Sequence, residues 1–231
     1  MREFDNDNKN GYKGEIFAME FVHSYYEPEY KKIYGGKASV WTNYDNWLSE
    51  EGKIAQKSGR DFIIGFISSP ENSSTIPAQV KTRMVEQEYG DMILNIADFY
   101  DFGCKLDNSY TINGLIMYVL YNFKKIYVIN NTKQKEFVNF YTGLQNFWNG
   151  ADLIQKAKLQ GKNRMIDYIH YLGVKYKVMV QKTRGVYGDT WWSASVFVPI
   201  NILTERYKVN IYEYKRQPDG VFKMINKKGT C

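Results

Sequence analysis

The feature that most constrains the chain is the apolar/polar alternation of its last third. Residues 174–181, 192–200 and 207–214 each alternate between apolar and polar side chains over part of their length. A period of two places successive side chains on opposite faces of an extended chain, so these runs predict half-buried strands. Ahead of them the pattern differs. In residues 12–26, Ile16, Met19, Val22 and Tyr26 fall near helical spacing, and Pro28 is expected to end that helix. Residues 35–60, rich in Gly, Asn, Ser and Lys, read mostly as loops. A β-rich run at 61–67, a turn or loop at 68–75 and a second run at 76–85 predict a hairpin with a longish connection. Residues 92–100, 111–123, 136–148 and 151–170 read as helices, and 125–130 as a strand. The order is α+β with a mixed sheet, without the βαβ rhythm of a doubly wound α/β fold.

No repeat or linker divides the 231 residues, which read as a single domain, 1–231. Two cysteines, Cys104 and Cys231, provide neither a disulfide framework nor zinc spacing, which favours a reducing compartment. The N-terminal residues lack an apolar signal core. The longest apolar stretch, near 115–120, is far short of the roughly 20 residues that span a bilayer. The expectation is a soluble cytoplasmic protein with no membrane partner. His23 and His170 stand apart from each other and read as structural, and no phosphate-cradling glycine loop is present.

Charge is distributed unevenly. Residues 1–115 hold 12 Lys/Arg against 18 Asp/Glu, whereas residues 116–231 hold 19 against 7. A basic half suits a polyanion and an acidic half suits a cation, although two solvated faces of one domain would look the same.

One constellation carries chemistry. Hydrolysis of a phosphodiester needs a water, a divalent ion to polarise the phosphate, and a positive charge near the developing oxyanion. Asp61 opens the first run of the hairpin, and Gln79-Val80-Lys81 lies in the second. Residues spaced i and i+2 on a strand share a face. Asp61 is thus the candidate main ligand of Mg²⁺, and the Gln79 side-chain carbonyl a second oxygen donor. Lys81 would orient the water and stabilise charge. The bland alternative is an exposed Gln and Lys on a strand. A rival set, Asp189 with Glu213-Tyr214-Lys215, leaves only 16 residues after Lys215, too few for a helix plus another strand. A third, Glu51-Gly52-Lys53, has Asp45 too close before it for two paired strands.

This arrangement resembles the PD-(D/E)XK nucleases, in particular type II restriction endonucleases with Gln as the third motif residue, such as the HinP-type short-site cutters. Three further stretches are similar: Asn10-Gly-Tyr-Lys-Gly-Glu15; Ile96-Ala-Asp-Phe-Tyr through Lys105-Leu-Asp-Asn108; and Val180-Gln-Lys-Thr-Arg-Gly185 running to Phe197-Val-Pro-Ile200. The resemblance implies a restriction-endonuclease-like core, a mixed sheet flanked by helices, and a catalytic region over 10–150. It implies Mg²⁺-dependent cleavage of double-stranded DNA at a short site, and a helix-borne carboxylate near the metal, here Glu15. Arg60 replaces the family's Pro. Gln79 removes one negative charge, for which Glu15 or Glu71 could supply a compensating carboxylate; the alternative is that Glu15 is only a charge in the first helical turn.

The basic, β-rich segment 151–231 is the expected DNA-recognition region. Between two of its strands lie Gln181, Lys182, Arg184, Asp189 and Thr190. Arg and Lys can read guanine through two acceptors, and Asp can accept from the amino group of cytosine. An ordinary solvated hairpin is the alternative. Lys162, Arg164, Lys175 and Lys177 suit phosphate contacts. Tyr89, after the second hairpin run, could wedge between bases. One of Trp191 and Trp192 should be core and the other exposed. Duplex symmetry suggests a homodimer. Two other readings stay open: a structure-selective junction or repair nuclease, and a non-catalytic DNA-binding protein.

Overall fold

A computed structural model describes residues 2–44, 60–84, 90–132, 135–184, 188–218 and 222–228. The fold is α+β, with strands predominating. Helix α1 (Arg2–Phe21) runs through a π-helical turn (Val22–Tyr26) into α2 (Glu27–Tyr34). Phe17, Ala18, Phe21 and Val22 form its buried stripe. Pro28 does not end the helix as expected. It falls in the first turn of α2, where its missing N–H matters least, and the π turn absorbs the change of direction. Gly35, at φ 91°, ends α2.

Two sheets follow. The first has seven strands in the order β1 (Ser39–Tyr44), β2 (Phe62–Ser69), β3 (Asn72–Arg83), β6 (Leu115–Leu120), β7 (Lys125–Asn130), β11 (Asn210–Arg216) and β12 (Phe222–Lys228). It is mixed: β3 and β6 are parallel and the other neighbours antiparallel. The second is antiparallel, in the order β5 (Gly103–Leu106), β4 (Asp91–Tyr100), β10 (Thr190–Pro199), β9 (Val174–Arg184) and β8 (Arg164–Tyr171). Helices α3 (Glu136–Phe147), α4 (Ala151–Leu159) and α5 (Ile200–Tyr207) complete the described elements. Both sheets take strands from either side of residue 150.

Strand β6 is buried at all six positions because its two faces serve two cores. Leu115, Met117 and Val119 join Val40, Ile64, Ala78 and Val80 beneath α1. Ile116, Tyr118 and Leu120 join the inner face of β4, β9 and β10 and the buried faces of α3, α4 and α5. Such a continuous apolar run cannot be told from a buried helix by periodicity, which explains why residues 111–123 were expected to be helical. Only Tyr121–Phe123 form a short 3-10 turn.

Other expectations also change. Residues 92–100 form β4, not a helix: Met92, Leu94 and Ile96 alternate inward, while Ile93, Ile96, Ala97 and Tyr100 mimic helical spacing. The helix expected over 151–170 stops at Leu159, and the remainder is β8. A two-residue turn at Leu172 and Gly173, both with positive φ, then folds β8 onto β9. Strand β1 lies within the stretch read as loop. The β2–β3 connection is a tight turn at Pro70-Glu71. Tyr207 belongs to α5, and after Lys215 the described residues add one strand, β12, and no helix.

Candidate active site at the β2–β3 pair

Asp61 stands immediately before β2. Its backbone N–H donates to the Ala78 carbonyl at 2.8 Å, extending the Phe62–Ala78 register by one step and setting Asp61 opposite Gln79. The Asp61 Oδ2 accepts from the Val80 N–H at 2.6 Å and from Gln79 Nε2 at 2.6 Å. The same Nε2 donates to the Val80 carbonyl at 3.0 Å. A carboxylate and a carbonyl only accept, so the amide must present its NH₂ group to them. Gln79 is 6% exposed, so its amide is held in this arrangement rather than waving in solvent.

The alternation of β3 arranges the rest. Ala78 and Val80 face α1, whereas Gln79, Lys81 and Arg83 share the opposite face. Across the parallel pair they lie beside Ile116, Tyr118 and Leu120 of β6. Lys81 is partly exposed and, among the described residues, makes no hydrogen bond or ion pair. The Arg83 guanidinium sits 5.8 Å from the Tyr118 ring centroid. Burial pushes the Tyr118 phenol up, and the Arg83 charge opposes that shift. The Tyr118 oxygen accepts from the Ile93 N–H at 3.3 Å, tying this face to β4 of the second sheet.

Whether the cluster suits a divalent ion can be judged from its donors. One NH₂ group stands between the Asp61 carboxylate and the Val80 carbonyl. That is a place where positive charge is already favoured. Mg²⁺ requires oxygens at about 2.0–2.1 Å and usually keeps several waters beside one or two carboxylates and substrate phosphate. Rotation of the Gln79 amide would bring its own oxygen to the two already there. These donors fit Mg²⁺. Among the described residues, no group of three or more His, Cys, Asp or Glu forms a metal-binding cluster.

Glu15 lies on α1 beside Gly14, where the helix packs tightly on β3. A Cβ on Gly14 would collide with Thr82 Oγ1, and that hydroxyl donates to the Gly11 carbonyl at 3.5 Å. Thr82 alternates with Gln79 and Lys81, so α1 crosses β3 on the face opposite to theirs. Glu71 is no compensating carboxylate. It lies in the turn at the far end of β2, about 25 Å along the strand from Asp61 at the usual rise per residue.

The recognition candidates gather at one end of the β9–β10 pair. Arg184 pairs with Thr190, Lys182 with Trp192 and Gln181 with Ser193, and Gln181, Lys182, Arg184, Asp189 and Thr190 are all exposed. Tyr89 lies outside the described residues, as do Asp45, Glu51, Gly52 and Lys53. Of the tryptophans, Trp192 is buried and Trp191 partly exposed, as expected. Arg164, Lys175 and Lys177 share the outer face of β8 and β9. There Lys175 covers Tyr168 at 4.4 Å and Lys177 covers Phe197 at 4.7 Å. In the rival set, Asp189 precedes a strand of the second sheet, while Glu213 and Lys215 lie on β11 of the first. Strand pairing does not unite them. His23 links the helices to β1, through Glu27 at 3.3 Å and Thr42 at 3.2 Å, while His170 is exposed on β8 rather than helical.

Two features escaped the sequence reading. Arg83 extends the Gln79–Lys81 alternation by one step, a signal present in the sequence itself. The other is a polar track on the outer face of the second sheet. Ser193 donates to Asp98 at 2.7 Å and approaches Thr183 at 3.5 Å, and Ser195 donates to Asn95 at 3.4 Å. Its parts are about 100 residues apart in sequence and only the β4–β10 register brings them together. Comparisons with protein-family models, with curated proteins and with solved structures find no match for this chain.

Proposed function

We propose that the protein is a Mg²⁺-dependent DNA hydrolase of the type II restriction-endonuclease kind, acting on duplex DNA at a short site. The observation that carries this reading is the Gln79 NH₂ group standing between Asp61 Oδ2 and the Val80 carbonyl, with Lys81 on the same strand face and unpaired among the described residues. Asp61, the Val80 carbonyl and the rotated Gln79 amide would hold the ion, which would polarise the scissile phosphate. Lys81 would hold the attacking water by a hydrogen bond and offset charge developing on the phosphate oxygens. Arg83, two residues further on the same face, supports a positive field for the DNA backbone. Two copies of the chain, one per strand, are the natural arrangement for a symmetric duplex.

The decisive experiment incubates purified protein with unmethylated phage DNA in Mg²⁺ or EDTA, beside the Lys81→Ala variant. Discrete fragments that require both Mg²⁺ and Lys81 would establish the activity, and sequencing their ends would give the site. Intact DNA in every lane despite a mobility shift would leave a DNA-binding protein without catalysis.

A further inference from the structure

At the tip of the second sheet, three aromatic rings lie in a row. Phe102, in the β4–β5 turn, is 88% exposed. Its ring lies 5.0 Å from Tyr100 at an interplanar angle of 7°, and Tyr100 lies 5.9 Å from Trp191 at 27°. One face of Phe102 is thus covered by Tyr100 while most of the residue meets solvent. A cavity of about 460 Å³ adjoins the row and is lined by Phe99, Tyr100, Trp191, Trp192, Lys158 and Lys182 among others. Burial pushes the Tyr100 phenol up, with smaller contributions from the nearby carboxylates of Asp98 and Asp189.

We propose that this row is a seat for an unstacked nucleobase of DNA, a proposal that rests on the DNA-hydrolase reading. A parallel ring row with one open end can receive one more flat π-system, and every base presents a π-face. The cations Lys158 and Lys182, which line the adjoining cavity with Tyr100 and Trp191, suit a backbone phosphate. The carboxylates of Asp98 and Asp189 can accept from an exocyclic amino group. Base pairs inside a duplex are already stacked on both sides, so the occupant is a base withdrawn from the stack. The row also adjoins Lys182, Asp189 and Thr190, continuing the exposed end of β9 and β10.

The test compares two duplexes that differ by one unpaired nucleotide, bound in EDTA so that neither is cut. The proteins are the wild type, Phe102→Ala, Phe102→Leu and Phe102→Trp. Phe102 is exposed, so these variants should fold. The wild type should prefer the bulged duplex about ten-fold or more. Phe102→Ala and Phe102→Leu should lose that preference without weakening on the paired duplex, and Phe102→Trp should keep it. Equal binding of both duplexes by the wild type, or an unchanged preference in Phe102→Ala, would overturn the seat. If cleavage still requires Lys81 in that case, the hydrolase reading survives and the base seat alone fails. No binding of either duplex together with no cleavage would remove both.

Discussion

In the first sheet β6 is buried along its whole length, whereas in the second sheet β8 has no fully buried residue. The contrast extends to their polar groups. Beside β6, Gln79 and Asp61 are tied to each other and to the Val80 backbone. At the free end of the second sheet, Lys182, Arg184 and Phe102 stand in solvent. A covered sheet holds a polar residue at least cost when its hydrogen bonds are met, and meeting them fixes its geometry. An open sheet imposes no such demand and can display cations and rings to a large partner. On the proposed function, the first arrangement suits chemistry and the second suits recognition.

Replacement of Lys81 tests that division most sharply. Lys81→Ala should lower DNA cleavage by at least about a hundred-fold while leaving the affinity measured in EDTA nearly unchanged. A parallel loss of binding would mean that the two regions do not divide the work.

Next in size is Gln145, which reaches the second sheet from α3. Its Nε2 donates to the carbonyls of Ile96 at 2.9 Å and Asp107 at 2.8 Å, where the β4–β10 register shifts. Gln145→Leu should remove both bonds, leaving the Ile96 carbonyl with the Asp107 N–H and the Asp107 carbonyl with the Tyr141 hydroxyl, and cost about 1–3 kcal/mol in urea unfolding. A neutral result would mean that the second sheet does not depend on buried satisfaction. Gly14→Ala probes the first sheet: α1 would be forced away from Thr82, with an expected loss of about 1–2 kcal/mol.

The smallest effect concerns Glu27 on the exposed helix. Its carboxyl is held below the usual glutamate range, chiefly by the Lys31 ammonium at 2.7 Å and also by His23. A depressed folded-state pKa stabilises above the unfolded value and is lost as pH falls through the folded one. Lys31→Met should therefore raise the Glu27 pKa in an NMR titration. It should cost no more than about half a kcal/mol at neutral pH and nothing in acid.

The Asp61–Gln79–Lys81 set was legible because it is local. A strand, a turn and a strand fix which residues oppose each other, and alternation fixes the shared face. The alternating runs of the last third were legible for the same reason. Residues 92–100 were not, since their apolar side chains satisfy both strand and helix spacing. Nor were residues 115–120, where burial on two faces erases any period. The partition of Gln79 and Lys81 from α1, the Asp98–Ser193 contact and the row Phe102–Tyr100–Trp191 depend on which distant strands pair. The sequence by itself determined local period and chemical character, because these follow from neighbours along the chain. Tertiary structure alone decided which faces are covered and which polar groups meet, because burial is a property of what packs against a residue from elsewhere.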